Sequence, residues 1–260
     1  MKICDSHIHV GQFFDRYTSP QELMDITKKL GIEKYAVSST TICEENYSKV
    51  LNELEYLIVN DNDRAYPILW LTPNLLANQW ALNDFLTSGL KWCCLKIHPD
   101  LHPYLWSCDE GYFGALIALS SEYNLPILIH TGGNLYSEAG IWREKIKANQ
   151  SHTFILAHSR PCAQTIEIMK EYKNVYADLA FVGKESIFSL LQSDVANRLI
   201  WGSDIPIVDF YLQQPNIDYY RDIIGYLKKE SSQDILKLTI EGNFKKIFER
   251  NEKRCDNCVR

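Results

Sequence analysis

Short apolar runs alternate with helix-length amphipathic stretches from one end of the sequence to the other. The apolar runs predict strands over 2–9, 34–38, 65–71, 92–98, 126–130, 153–158, 174–178 and 198–203. Between them, helical spacing covers about 44–59, 75–88, 110–124, 137–149, 161–172, 184–193 and 216–229, with a closing stretch near 232–250. The helix after the first strand has the plainest boundaries. It opens at Ser19-Pro20, a capping residue followed by proline at the first helical position, and stops at Gly31.

Eight strands alternating with helices predict parallel pairing through right-handed crossovers. Eight such units closing on themselves make a (β/α)8 TIM barrel, an α/β fold typically about 250 residues long, and this chain has 260. No Gly/Ser-rich linker, repeat or low-complexity tract divides it, so a single domain is expected over 1–250 with a C-terminal tail over 251–260. An open doubly wound sheet is the competing arrangement, but it usually announces itself by G-x-G-x-x-G in the first turn, and that pattern is absent. Neither a P-loop nor the G-x-S-x-G elbow of serine hydrolases occurs.

Charge narrows the partners. The formal net charge is −6 and no block of five like charges occurs, so the basic footprint of a nucleic-acid binder is missing. The N-terminal residues lack the apolar core of a signal peptide, and no apolar run reaches the roughly 18 residues that span a bilayer. The expectation is a cytoplasmic protein acting on a small molecule, with no nucleic acid or membrane partner; a homo-oligomer is compatible with the sequence. Cys4, Cys43, Cys93, Cys94, Cys108 and Cys162 are scattered and read as reduced, buried thiols. Cys255 and Cys258 form a lone C-x-x-C without the second pair that a structural zinc site needs.

The chemistry gathers at strand ends. His7 and His9 end the first predicted strand, His130 the fifth and His158 the sixth, and Asp204 follows the eighth. Lys96 lies on the fourth, in Cys94-Leu95-Lys96-Ile97-His98. The steps from Lys96 to His130 and from His130 to His158 are each about one strand–helix unit, and His158 to Asp204 is about two. Such intervals put residues at one height around a barrel, on the face where strand C-termini meet and catalysis occurs. Residues two apart on a strand share a face, so His7 and His9 point the same way, and Lys96 points inward with Cys94 and His98. Imidazole and carboxylate suit zinc and related divalent ions, and a catalytic site keeps a position open for water, whose pKa the metal lowers towards about 7. One histidine at a strand end is usually structural; five ligand-type residues in one register argue for a metal. His98 at the rim is as compatible with lining a pocket as with a structural role, while His102 and His152 fall in loops and read as surface residues. An inward Lys96 is costly to bury charged and needs a carboxylate, a substrate group or a CO₂ adduct as partner.

These residues also carry a family likeness. From Asp5-x-His7-x-His9 to about Phe248 the sequence resembles the amidohydrolase superfamily, nearest its amidohydrolase-2 branch. The marks are Lys96-Ile97-His98-Pro99, Pro126-Ile127-Leu128-Ile129-His130-Thr131-Gly132, Leu156-Ala157-His158, Asn174-Val175-Tyr176-Ala177-Asp178, Trp201-Gly202-Ser203-Asp204-Ile205-Pro206 and Glu241-Gly242-Asn243-Phe244. Each is modest alone; in this order they are specific. The resemblance implies a TIM barrel with one divalent metal, zinc foremost and manganese as alternative, held by His7, His9, His130 and Asp204. His158 would position or activate the metal-bound water, and Asp204 would double as proton shuttle. In binuclear relatives the lysine of strand four is carboxylated, which leaves a second metal open at Lys96. Where many relatives carry glycine, this chain has Arg160, placed to clamp a substrate carboxylate in bidentate fashion or to cap a loop.

The expected activity is hydrolysis of a small amide, lactone or ester by metal-bound hydroxide, with His158 and Asp204 catalytic and with Lys96, His98 and Arg160 contacting substrate. Non-oxidative decarboxylation of an unsaturated or aromatic carboxylic acid is the alternative, and would use the same ligands. A metal nuclease resembling the TatD type is disfavoured by Lys96, where that family carries glutamate, and by the negative charge. A catalytically dead barrel kept as a binding module would have lost a ligand, and none is lost.

Overall fold

A computed structural model of the chain describes residues 1–249 apart from 103 and 213–215. The Cys255/Cys258 pair and the tail expected over 251–260 lie outside the described residues. The strands are β1 (Ile3–Phe13), β2 (Arg16–Thr18), β3 (Ile32–Ser39), β4 (Ala65–Trp70), β5 (Cys94–Ile97), β6 (Ile127–His130), β7 (Phe154–Ala157), β8 (Val175–Asp178) and β9 (Leu199–Ile200). They form one curled sheet in the order β2-β1-β3-β4-β5-β6-β7-β8-β9. Every pairing is parallel except that of β2, which folds back on the end of β1. All eight predicted strands are present. The hairpin strand β2 is the addition: β1 runs on past His9 and reverses at Phe14, whose φ of 50° lies in the left-handed region.

The helices follow their local signals. In Pro20–Leu30, Ser19 accepts the Glu22 N–H, and Gly31 closes the helix at φ 70°, a conformation glycine adopts without steric penalty. The stretch expected as one helix over 75–88 is two, Pro73–Ala77 and Gln79–Thr87, because Asn78 leaves the helical conformation to cap the second through the Ala81 N–H. The closing stretch is Gln233–Lys237, a π-helical turn Leu238–Gly242, and Asn243–Phe248.

Two apolar layers result from the alternation along the strands. Cys4, Ala36, Ile68, Cys94, Leu128, Ile155, Tyr176 and Ile200, one from each parallel strand, meet on the concave side, with Phe244, Ile247 and Phe248 of the last helix packed against them. Their neighbours in sequence, including Leu95, Ile97, Ile127, Ile129, Phe154, Leu156 and Val175, face the helices. Leu128 is fully buried in the inner layer. Leu128→Ala should lower unfolding free energy by about 2–5 kcal/mol, the transfer term plus the cavity left in a layer too crowded to collapse. Urea denaturation checks this, and a change under about 1 kcal/mol would mean the layer repacks.

Beyond β9 the chain runs alongside β1. The Ser6 N–H donates to Trp201 O at 2.9 Å, the Asp204 N–H to His7 O at 2.8 Å and the His9 N–H to Ile205 O at 2.7 Å. An isolated parallel bridge joins Ile8 and Ile205. The two ends of the sheet thus bring the His7/His9 segment and the Asp204 segment together. Among the described residues no helix is long and apolar enough to cross a membrane.

Candidate metal centre

The site forms on the concave side, at the C-terminal ends of the strands. On β1 a register irregularity between Asp5 and Ile8 shifts the alternation by one. Cys4 points into the inner layer, and the shift lets His7 and His9, three and five residues on, point the same way, while Ile8 and Val10 join the outer layer. On β5, Lys96 follows Cys94 inward; on β6, His130 follows Leu128; on β8, Asp178 follows Tyr176. His158 needs a different device. Strand β7 ends at Ala157, which already faces inward, so continued alternation would send residue 158 outward. Instead His158 and Ser159 take φ values of 64° and 50°, and this left-handed turn swings the imidazole back over the site. Asp204 is also left-handed, at φ 60°. Such backbone is sparsely populated for residues with a Cβ, and it collects where side chains must be aimed.

Two imidazoles and a carboxylate converge. His9 Nε2 lies 3.0 Å and His7 Nε2 3.7 Å from Asp204 Oδ1, all three residues being buried. The Lys96 amine stands 2.9 Å from His7 Nε2 and 3.2 Å from His9 Nε2, so both nitrogens face one point. It also lies over the Trp70 ring, 4.3 Å from the centroid. Each histidine is held from behind: His7 Nδ1 is 2.9 Å from Asp178 Oδ2, and His9 Nδ1 is 3.1 Å from Ser38 Oγ. Among the described residues two overlapping groups gather ligand atoms within 4.8 Å of one another, His7 with His9 and Asp204, and His7 with His158 and Asp178.

Burial and neighbouring charge set the protonation states. Burial, then the Lys96 charge, pushes His7 well below the ordinary histidine value and lowers His9 also. Burial would raise the Asp204 carboxyl, but its hydrogen bond with His9 and the imidazoles around it hold it below the usual range. Burial lowers Lys96 to about 8 and raises Asp178 to about 6. Neutral imidazoles beside an ionised carboxylate are the states that bind a divalent cation.

The remaining expected residues are in the same place with different contacts. His130 stacks on His98 at 3.7 Å between centroids and lies 4.6 Å from the His158 ring, beside both ligand groups rather than within them. His98 is sandwiched between His130 and Trp70, 5.5 Å away on its other face, and its buried Nδ1 has no hydrogen-bond partner. The His158 Nδ1 is 2.8 Å from Ala180 O. Because a carbonyl only accepts, the proton of neutral His158 sits on Nδ1 and its Nε2 is bare. Arg160 donates through Nη2 to Phe181 O at 2.6 Å and lies over the Phe181 ring. Gly132 makes room for it, since a Cβ there would meet Arg160 Cδ at 2.6 Å.

The fold has solved counterparts. No family model matches this sequence and no curated protein matches it. Among solved structures, an uncharacterised TIM-barrel protein from Bordetella bronchiseptica aligns with a TM-score of 0.71 at 14% identity over 97% of this chain and all of its own. An amidohydrolase from Burkholderia multivorans with bound zinc aligns at 0.71 and 12% identity over 96% of this chain and 99% of its own. A probable 2-pyrone-4,6-dicarboxylic acid hydrolase from Acinetobacter baumannii aligns at 0.66 and 14% over 96% and 100%. One of these neighbours is an amidohydrolase and another a probable hydrolase, and at identities of 12–14% the likeness itself shows the shared fold.

Two readings of single residues need correction. Cys4, Cys93 and Cys94 are buried free thiols and Cys162 is only partly buried, but Cys43 and Cys108 are exposed. They lie on the segments after β3 and β5, outside both apolar layers. His152 lies before β7, at the opposite end of the strands, yet is partly buried, with Nδ1 2.8 Å from Ser120 Oγ. Asp178 is the site residue that sequence reasoning left without a role. A signal was present. It ends its strand with the same inward alternation as Leu128-Ile129-His130, and lies about one strand–helix unit before Asp204.

Proposed function

We propose that the chain is a metal-dependent hydrolase of a small amide, lactone or ester, working at the C-terminal rim of a closed (β/α)8 barrel. The convergence of His7 Nε2, His9 Nε2 and Asp204 Oδ1 on one buried point carries the reading. The hydrogen bonds between β1 and the 201–205 segment support closure of the barrel. The zinc in one structural neighbour and the hydrolase name of another support the activity; decarboxylation gains no such support.

The donor set fits one divalent ion, zinc foremost, with His7, His9 and Asp204 as ligands, while His130, expected as the fourth, lies beside this group. When bound, the ion supplies Lewis acidity at a substrate carbonyl and lowers the pKa of water. The chain's own groups do the rest. The bare Nε2 of His158 accepts a proton from the attacking water and returns it to the leaving group. Asp204, held ionised by its imidazole neighbours, binds the cation and doubles as proton shuttle. Lys96 is the group that competes for the cation's place. Burial lowers its pKa to about 8, so it gives up its proton more readily than an exposed lysine, and one metal with an unmodified Lys96 is the proposed state. His98, Arg160 and Lys96 are the residues proposed to contact substrate.

The test is a comparison of chelator-treated and zinc-reloaded protein on a panel of small lactones, esters and amides. Hydrolysis should vanish on chelation and return on reloading. Turnover that survives chelation, or a protein that takes up no zinc, would overturn the reading.

A further inference from the structure

We infer that Asp178 is a positioning residue that selects the tautomer of His7 and, through its other oxygen, pins the turn that aims His158. The inference rests on the metal-dependent reading above and adds a residue to it. Asp178 is fully buried, and its two oxygens have separate duties. Oδ1 accepts the Ala180 N–H at 2.6 Å and the His158 N–H at 3.3 Å, and the Asp178 backbone carbonyl accepts the Ser159 hydroxyl at 2.7 Å. These bonds span the left-handed pair His158–Ser159 and the carbonyl of Ala180 that receives His158 Nδ1. Oδ2 is left for His7 Nδ1, at 2.9 Å.

A carboxylate only accepts. Facing one, a neutral His7 carries its proton on Nδ1 and presents a bare Nε2 to the point where His9 and Asp204 converge. Behind His9 the partner is Ser38 Oγ, which can donate or accept, so nothing at its Nδ1 fixes the tautomer. A second feature protects the contact. A Cβ on Gly202 would come within 2.9 Å of both Asp178 Oδ2 and His7 Cβ, so the segment carrying Asp204 is bare where the carboxylate meets the imidazole. Carboxylates behind metal-binding histidines commonly act this way.

Asp178→Asn separates positioning from mere packing. The amide has the shape of the carboxylate, and its oxygen takes the place fixed by the two backbone N–H donors. That puts the NH₂ against His7 Nδ1. An NH₂ only donates, so His7 must accept at Nδ1 and move its proton to Nε2, closing the nitrogen that the ion needs. In metal-free protein, ¹⁵N–¹H correlation spectra of the imidazoles should show His7 as the Nδ1–H tautomer in the wild type and as Nε2–H in the variant. The zinc dissociation constant, by direct titration, should rise about 10–100-fold, with the melting temperature of the metal-free protein little changed. Gly202→Ala should weaken zinc binding in the same direction. An Nε2–H tautomer of His7 in the wild type would overturn the inference without any variant. So would unchanged tautomer and zinc affinity in a folded Asp178→Asn. If the wild type takes up no zinc, the metal-dependent reading falls, while the tautomer spectra still decide the role of Asp178.

Discussion

His158→Asn should keep its metal and lose roughly 10²–10⁴-fold in turnover, the usual contribution of one positioned acid–base group. Asparagine is the informative replacement. It approximates the imidazole near Cβ, and its amide can still donate to Ala180 O in place of Nδ1. It has no group that can take up a proton near neutral pH. The left-handed turn stays available as well, because asparagine tolerates positive φ better than most residues, and His158 sits at φ 64°. The backbone N–H that Asp178 accepts is unaffected. Fold and ligand set should therefore survive while proton transfer fails. Metal analysis and steady-state kinetics on the same sample check it. Loss of the metal along with activity would make His158 a ligand and favour the His7–His158–Asp178 grouping as a second binding position.

The second large effect is on metal binding. His7→Ala combined with His9→Ala removes two of the three groups that converge on one point and leaves Asp204 without its imidazole partners. Purified double variant should hold little zinc. Its melting temperature should also stop responding to the ion. A ligand at 100 times its dissociation constant stabilises by about 2.7 kcal/mol, which in a protein of this size raises the melting temperature by roughly 5–10 °C. The wild type should show that rise and the double variant should not. Both histidines are buried, so some loss of intrinsic stability is expected too, and the zinc-dependent increment is the quantity to compare. Full zinc occupancy in the double variant would remove this centre from consideration.

Much of this molecule is legible in one dimension because its signals are local. The alternation that buries Leu128 and Ile155 inside and Ile129 and Leu156 outside is a period-two pattern within each strand. The Ser19-Pro20 start and Gly31 stop of the first helix are capping chemistry confined to a few residues. Lys96 and His130 face inward by the same alternation, two residues after Cys94 and Leu128. Tertiary structure decided what depends on pairs distant in sequence or on a single backbone angle. The alternation on β1 is corrected by an irregularity that exists only against β3. His158 faces the site through a left-handed turn, not through the strand pattern that ends at Ala157. Asp178 acquires its role from a carboxylate–imidazole contact with a residue 171 positions away. His130, expected among the ligands, stacks on His98 because the ends of β5 and β6 lie side by side. Periodicity records which way a residue faces. Which partner stands opposite, and at what distance, is settled only when the sheet curls and brings the ends of its strands together.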